Sequence, residues 1–302
     1  MSSPDEHFTT CISRSRARGP VAELGLVLMA VAIDHEIDFD GYEWCLRVRE
    51  ADVRAARDEL ASYRFENQPE PSAPPHVHTF DSGWLGVFGF LLVIWALPTL
   101  EGLGAFGLDW REAGVMHAER VTDGEWWRTI TALTLHGDIA HLVGNSLFGA
   151  VFGLFVGRYV GSGAGWLMVL LAAGLGNGLN ALIQADGFRS VGASTATFAA
   201  LALGATFVWR RGYMRGWGWR RRFAPLFGGI ALLAFTGFGG ENTDIMAHLT
   251  GFGFGTLMGV LAASVDLRRL GVSGQVLCGA AAFGLVWWAW SLAGAAARAV
   301  GV

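Results

Sequence analysis

The sequence predicts an all-α polytopic membrane protein of seven spanning helices, preceded by a small α+β cytoplasmic domain. Three observations carry that prediction. Of 302 residues, 52% are hydrophobic and only 16% charged, against about 25% charged in soluble domains, and the mean hydropathy is +0.39. The apolar residues after Trp84 fall into seven long runs. The charges are concentrated before residue 80 and in alternate connections between those runs, so the net charge of −4 says little about partners.

The first 68 residues read as a soluble module in the order α-β-β-α. A helix covers Pro20–Ile33, alternating runs follow at Glu36–Phe39 and Tyr42–Val48, and an amphipathic helix covers Ala51–Tyr63. The apolar run Leu24–Ile33, bounded by Glu23 and Asp34, is too short to span and reads as a buried core helix. The polar, acidic start from Ser2 to His7 predicts no signal peptide. Three scattered cysteines, Cys11, Cys45 and Cys278, argue against a disulfide framework and fit a cytoplasmic or membrane setting. A proline-rich linker occupies 69–80, with Pro69, Pro71, Pro74 and Pro75. The membrane domain then runs from 81 to 302.

Its spans are Trp84–Leu100, His141–Val160, Gly165–Ile183, Val191–Trp209, Phe223–Phe238, Ile245–Val265 and Val276–Ala297, near the short end of the roughly 17–25 residues a crossing needs. The connection Glu101–Ala140 is too long for a plain loop and too polar to span. Its Trp110, Trp126 and Trp127 suit a loop lying in the membrane interface.

Arginines set the orientation. The connection after span four holds Arg210, Arg211, Arg215, Arg220, Arg221 and Arg222, and that after span six holds Arg268 and Arg269; the alternate connections 185–190 and 239–244 hold only Arg189. The positive-inside rule puts the N-terminus in the cytoplasm and the C-terminus outside. The arginine cluster is a topology signal in contact with anionic lipid, not a nucleic-acid site. Spans two, four and six therefore all enter from the outer face.

That shared entry aligns polar residues that lie far apart in sequence. His141 and Asn145 open span two, Ser194 opens span four and His248 opens span six, each within a turn or two of the same surface at about 1.5 Å per residue. Singly, each has a structural reading: Gly-Ala-Ser as a small packing site, the histidine as a helix-helix hydrogen bond, Asn145 as a tie between helices. Together they supply a nucleophile, a base and oxyanion donors, the parts of acyl transfer. Every one of the 22 basic Lys+Arg residues is arginine, so a serine–lysine pair is impossible and histidine is the remaining activator. His248, Gly251, Gly255 and Gly259 share one helix face, and the glycines permit close approach to the alanine-rich span four. Phe198, one turn after Ser194, is expected to stack on His248. Asp138 and Asp244 read as caps or solvated loop residues. Other intramembrane protease classes fit worse, since neither a His-Glu-x-x-His metal motif nor an intramembrane aspartate pair is present, and no cofactor or metal is expected.

These runs resemble the rhomboid family of intramembrane serine proteases. The resemblance covers about residues 80–265 and rests on Trp127-Arg128, on His136, His141 and Asn145, on Gly192-Ala193-Ser194, and on Ala247-His248 with Gly251 and Gly255. The N-terminal module, ending Tyr63-Arg64-Phe65-Glu66-Asn67, resembles the cytoplasmic domain of some bacterial members. The family implies a six-helix core, here about 81–265, to which this chain adds a seventh C-terminal helix at about 276–297. It implies a Ser194–His248 dyad with no acidic third member, and an oxyanion site from the side chains of His141 and Asn145 with the Ser194 N–H. Gly192 would give close backbone approach, and Arg128 and His136 would support the loop and polar cavity. The implied substrates are transmembrane proteins in the bilayer of the cell (inner) membrane, cut at a site open to the outer face. Two positions depart from the pattern. Thr195 stands where glycine is common, and a β-branched residue there is expected to narrow the pocket or alter the backbone. Phe198 stands where tyrosine is frequent. The alternatives are a catalytically weak or inactive relative that binds membrane clients, which typically lacks the serine or histidine kept here, and a transporter or channel using the same polar groups as a permeation path, against which stands the lack of an obvious internal repeat.

Overall fold

The computed structural model describes residues 8–67, 78–213, 218–219 and 244–300. The expected span Phe223–Phe238, and Arg215, Arg220, Arg221 and Arg222, lie outside the described residues. The chain divides into two compact units, 1–73 and 74–302.

In the first unit, β1 (Thr10–Ser15), β2 (His35–Phe39) and β3 (Trp44–Val48) form an antiparallel sheet in the order β1-β3-β2. Helices α1 (Arg18–Ala30) and α2 (Val53–Glu66) close a small core of Val21, Leu28, Leu46, Val48, Ala56 and Leu60. The order is thus β-α-β-β-α. Strand β1 is absent from the sequence reading because Thr10–Ser15 is mostly polar and its register slips between Cys11 and Ser13, which blurs the period-2 signal. That strand carries Cys11 to Cys45, and the two form a disulfide, where the scattered cysteines had argued against a disulfide framework; a reducing compartment would hold them as two neighbouring thiols. Helix α1 is also less buried than expected: Val21, Gly25 and Leu28 face the core, while Leu26 and Met29 are exposed.

In the second unit, α3 (Trp84–Gly102) is followed by a connection that folds into short pieces: α4 (Trp110–Gly114), β4 (Met116–His117), α5 (Ala118–Thr122) and α6 (Arg128–Thr131). Then come α7 (Ile139–Val160), α8 (Ser162–Ile183), β5 (Arg189–Ser190), α9 (Ser194–Arg210), α10 (Ile245–Ser264) and α11 (Gly271–Val300). Five helices among the described residues are long and apolar enough to cross a membrane: α3, α7, α8, α10 and the stretch Leu267–Ala299 that contains α11. Helix α9 is shorter, 17 residues or about 25 Å. It is buried on every side from Thr195 to Gly204, as befits the central helix of a bundle. Trp110 is not an interface anchor; it is buried and packs against Trp290 of α11 with ring centroids 5.0 Å apart.

Three of the helices run parallel with their N-termini at one end. Gly251, Gly255 and Gly259 of α10 face Thr195, Ala199 and Leu203 of α9 at a constant offset. On the other flank, Gly192 faces His141 of α7, Phe198 and Leu201 pack with Phe152, and Gly204 faces Val156. Helix α11 closes the opposite end of α8. No side chain of its own caps α8; instead the Gln275 Oε1 accepts from the N–H groups of Gly163 (3.0 Å) and Ala164 (2.9 Å), and Gln275 Nε2 donates to the Val160 carbonyl (3.3 Å).

Candidate active site

Ser194 is the first residue of α9 and half-buried; His248 lies in the first turn of α10 and is buried. What brings the helices together is the glycine row. A Cβ on Gly251 would stand 2.5 Å from the Thr195 carbonyl oxygen, one on Gly255 would collide with the Ala199 carbonyl, and one on Gly259 would lie 2.7 Å from the Leu203 carbonyl. Each position requires glycine for the backbones to meet. At the head of this seam the His248 ring lies on the Phe198 ring, centroids 4.5 Å apart and planes 21° from parallel. Asp244 starts α10 by accepting from the Ala247 N–H at 2.9 Å.

Asp138 starts α7 in the same way, accepting from the His141 N–H at 2.8 Å. His141 and Asn145, four residues apart, share a face. Gly192 has φ of +133°, and a Cβ there would sit 2.5 Å from Cε1 and 2.7 Å from Nε2 of His141. Conformation and space both demand glycine at this position, and the close approach sets His141 beside the chain entering α9. Ala193 packs with Leu142 and Ile94.

The connection before α7 supports this end. Arg128 is buried; its guanidinium pairs with Glu125 and donates to the carbonyls of Glu112 (2.9 Å) and Val115 (2.8 Å). His136 meets the His141 ring edge-on at 5.3 Å. Burial, aided by His141 and opposed by Asp138, pushes the His136 pKa down to about 3, so the ring is neutral at pH 7. Several buried polar atoms gather here with no hydrogen-bond partner among the described residues: both ring nitrogens of His136, Asn145 Nδ2 and His248 Nδ1. Buried orphans are costly, and their clustering at the shared ends of α7 and α10 marks a place for water or a ligand. Among the described residues no group of three or more His, Cys, Asp or Glu could hold a metal ion.

Every candidate drawn from the sequence thus lies at one end of the bundle. Thr195 packs inside the bundle. It is buried, its methyl meets Gly176 and Gly251, and its hydroxyl donates to Asn177 Oδ1 at 2.9 Å. Asn177 and Asn180 of α8 were not singled out by the sequence reading; the available signal was two amides three apart in an apolar span.

This end of the molecule can be set against known proteins. The sequence profile of the Rhomboid domain matches residues 123–265. A rhomboid-protease candidate of Bacillus subtilis (strain 168), YdcA, is 30% identical over 161 residues, which cover 53% of this chain and 79% of that protein. The chain belongs to the rhomboid family. A second relative, the rhomboid protease GluP of the same organism, is 31% identical over 169 residues, covering 55% of this chain but 31% of its own length. The rhomboid match runs from the connection before α7 to the end of α10. It takes in Arg128, His136, His141, Asn145, Gly192, Ser194, Phe198 and His248, and leaves out α11 and the N-terminal unit. With its apolar helices, this rhomboid is a multi-pass membrane protein of an intramembrane protease family.

Proposed function

We propose that the chain is an intramembrane serine endopeptidase that hydrolyses peptide bonds in or near transmembrane segments, with Ser194 as nucleophile and His248 as base. The observation that carries this reading is the His248 ring seated flat on Phe198, one turn after Ser194. A dyad without an acidic member is supported by Asp244, whose carboxylate oxygens accept from the Ala247 N–H and from Asn180, while His248 Nδ1 has no partner among the described residues.

In the first step His248 takes the Ser194 Oγ proton, Oγ bonds to the scissile carbonyl carbon, and the carbonyl oxygen gains the negative charge. Asn145 Nδ2, the His141 ring N–H and the Ser194 backbone N–H receive that charge. Helix α9 begins without a side-chain cap, so its first N–H groups are unspent, and a single such donor is worth about 3 kcal/mol. The C–N bond then breaks and the amine leaves with the proton from His248. Water attacks the acyl ester through the same base and frees Ser194. The substrate helix must unwind locally, because an intact helix hides its carbonyls. The arginine asymmetry supports a cytoplasmic N-terminal unit and a site opening on the outer face of the cell membrane, together with the C-terminus.

The test is cleavage of a single-span substrate in liposomes by wild type, Ser194→Ala and His248→Ala. Product from the wild type alone is expected, together with fluorophosphonate labelling that Ser194→Ala abolishes. Equal product from all three sinks the assignment. Stable retention of the substrate with no product from the wild type would favour the client-binding alternative.

A further inference from the structure

Helix α8 contributes no candidate catalytic group, yet it carries two buried amides in an apolar span. Asn177 and Asn180 are 4% and 0% exposed, and burying an amide among apolar side chains is costly unless every polar atom is spent. Here each is spent in a defined sense. Asn177 Oδ1 accepts from the Thr195 hydroxyl at 2.9 Å, and its Nδ2 donates to the Thr129 carbonyl at 2.9 Å. Asn180 Nδ2 donates to Asp244 at 2.6 Å, and its Oδ1 accepts from Gln184 Nε2 at 3.2 Å. Turning either amide over would set its oxygen against an acceptor, the Thr129 carbonyl for Asn177 and the Asp244 carboxylate for Asn180.

The partners are the point. Thr195 directly follows Ser194. Asp244 starts the helix of His248, and its backbone carbonyl also accepts from the His248 N–H at 3.3 Å. Next to Asn177, a Cβ on Gly176 would lie 3.0 Å from the Gly251 nitrogen and 3.2 Å from the Thr195 methyl. One face of α8 therefore touches the serine helix and the histidine helix at the level where the two must meet.

We propose that Asn177 and Asn180 are positioning residues: Asn177 fixes Ser194 through Thr195, Asn180 fixes His248 through Asp244, and α8 so sets the separation of nucleophile and base. The inference rests on the serine-protease reading. It also gives Thr195 a purpose, since a glycine there would leave Asn177 Oδ1 without its donor.

The experiment measures kcat and KM for the single-span substrate, and the rate of fluorophosphonate labelling of Ser194, in full-length protein reconstituted in liposomes. The variants are Asn177→Leu, Asn180→Leu, Thr195→Val and Thr195→Ser, each scored on its folded fraction. A misplacement near 1 Å costs about 10²-fold in rate, so kcat and the labelling rate are expected to fall by roughly 10- to 100-fold with KM unchanged. Thr195→Val preserves volume and isolates the hydroxyl. Thr195→Ser keeps the hydroxyl and is expected to restore kcat. Thr195→Val combined with Asn177→Leu is expected to be no worse than either alone, as for two ends of one bond. Unchanged kcat, a change in KM alone, or no rescue by Thr195→Ser overturns the positioning role while leaving the protease reading intact. If the wild type shows no Ser194-dependent turnover or labelling, both fall.

Discussion

At its N-terminal end the seam between α9 and α10 holds Ser194, Thr195 and His248; two turns on it holds Ala199, Leu203, Gly255 and Gly259, with Thr206 against Gly259. Both ends bring backbone against glycine. Among the described residues the deeper end has no unpartnered buried polar atom, whereas the first end leaves His248 Nδ1 without a partner. Close packing at one end thus fixes the geometry of polar atoms left open at the other. Such a division suits a bilayer, where an unpaired polar group is tolerated only beside water or protein.

The largest effect expected from breaking this pair of ends is at the open one. Ser194→Ala and His248→Ala should each lower turnover by on the order of 10⁴-fold or more, with unchanged thermal unfolding midpoints in detergent. A loss that merely tracks unfolding would undo the contrast. Asn145→Ala, one donor fewer for the oxyanion, should cost roughly 10²- to 10³-fold in kcat, read by steady-state cleavage at saturating substrate.

The closed end should respond in stability. Gly255→Val sets a β-branched side chain against the Ala199 carbonyl and is expected to cost about 1–3 kcal/mol or more. Activity per folded molecule would then decline only as far as the helices separate. A Gly255→Val protein with wild-type unfolding and wild-type turnover would refute the close-packed seam.

A smaller effect lies in pH. The His136 pKa in the folded chain, about 3, is below the unfolded value of about 6.5. The unfolded chain therefore binds the proton first as pH falls, and stability is lost between about pH 6.5 and pH 3, by at most about 1.4 kcal/mol per pH unit. Unfolding midpoints at pH 7 and pH 5 should show that slope in the wild type and a shallower one in His136→Gln. Smallest of all, Phe198→Leu removes a ring contact worth about 0.5–1.5 kcal/mol and should slow turnover only several-fold, with Phe198→Tyr near wild type.

How far the sequence could be read depended on what kind of signal each feature left. The shared direction of α7, α9 and α10 was legible because arginines alternate between connections, and the meeting of α9 with α10 because glycines recur every fourth residue. The stacking of Phe198 on His248 followed from helix phase. The role of α8 was not legible: in lipid the outward face of a helix is as apolar as the inward one, so periodicity could not tell which way Asn177 and Asn180 pointed. Trp110 misled for a related reason, since a tryptophan suits the interface and the interior equally and its partner, Trp290, lies 180 residues away. Strand β1 was lost to its polar composition and irregular register.

Gln275 ties α11 to the start of α8. Its side chain completes the start of α8, and a Cβ on Gly163 would collide with its backbone carbonyl. Helix α11 therefore constrains a residue more than a hundred positions upstream. Deleting α11 would uncover the amide groups of Gly163 and Ala164. The first turn of one helix thus takes two of its acceptor contacts from the last helix of the chain.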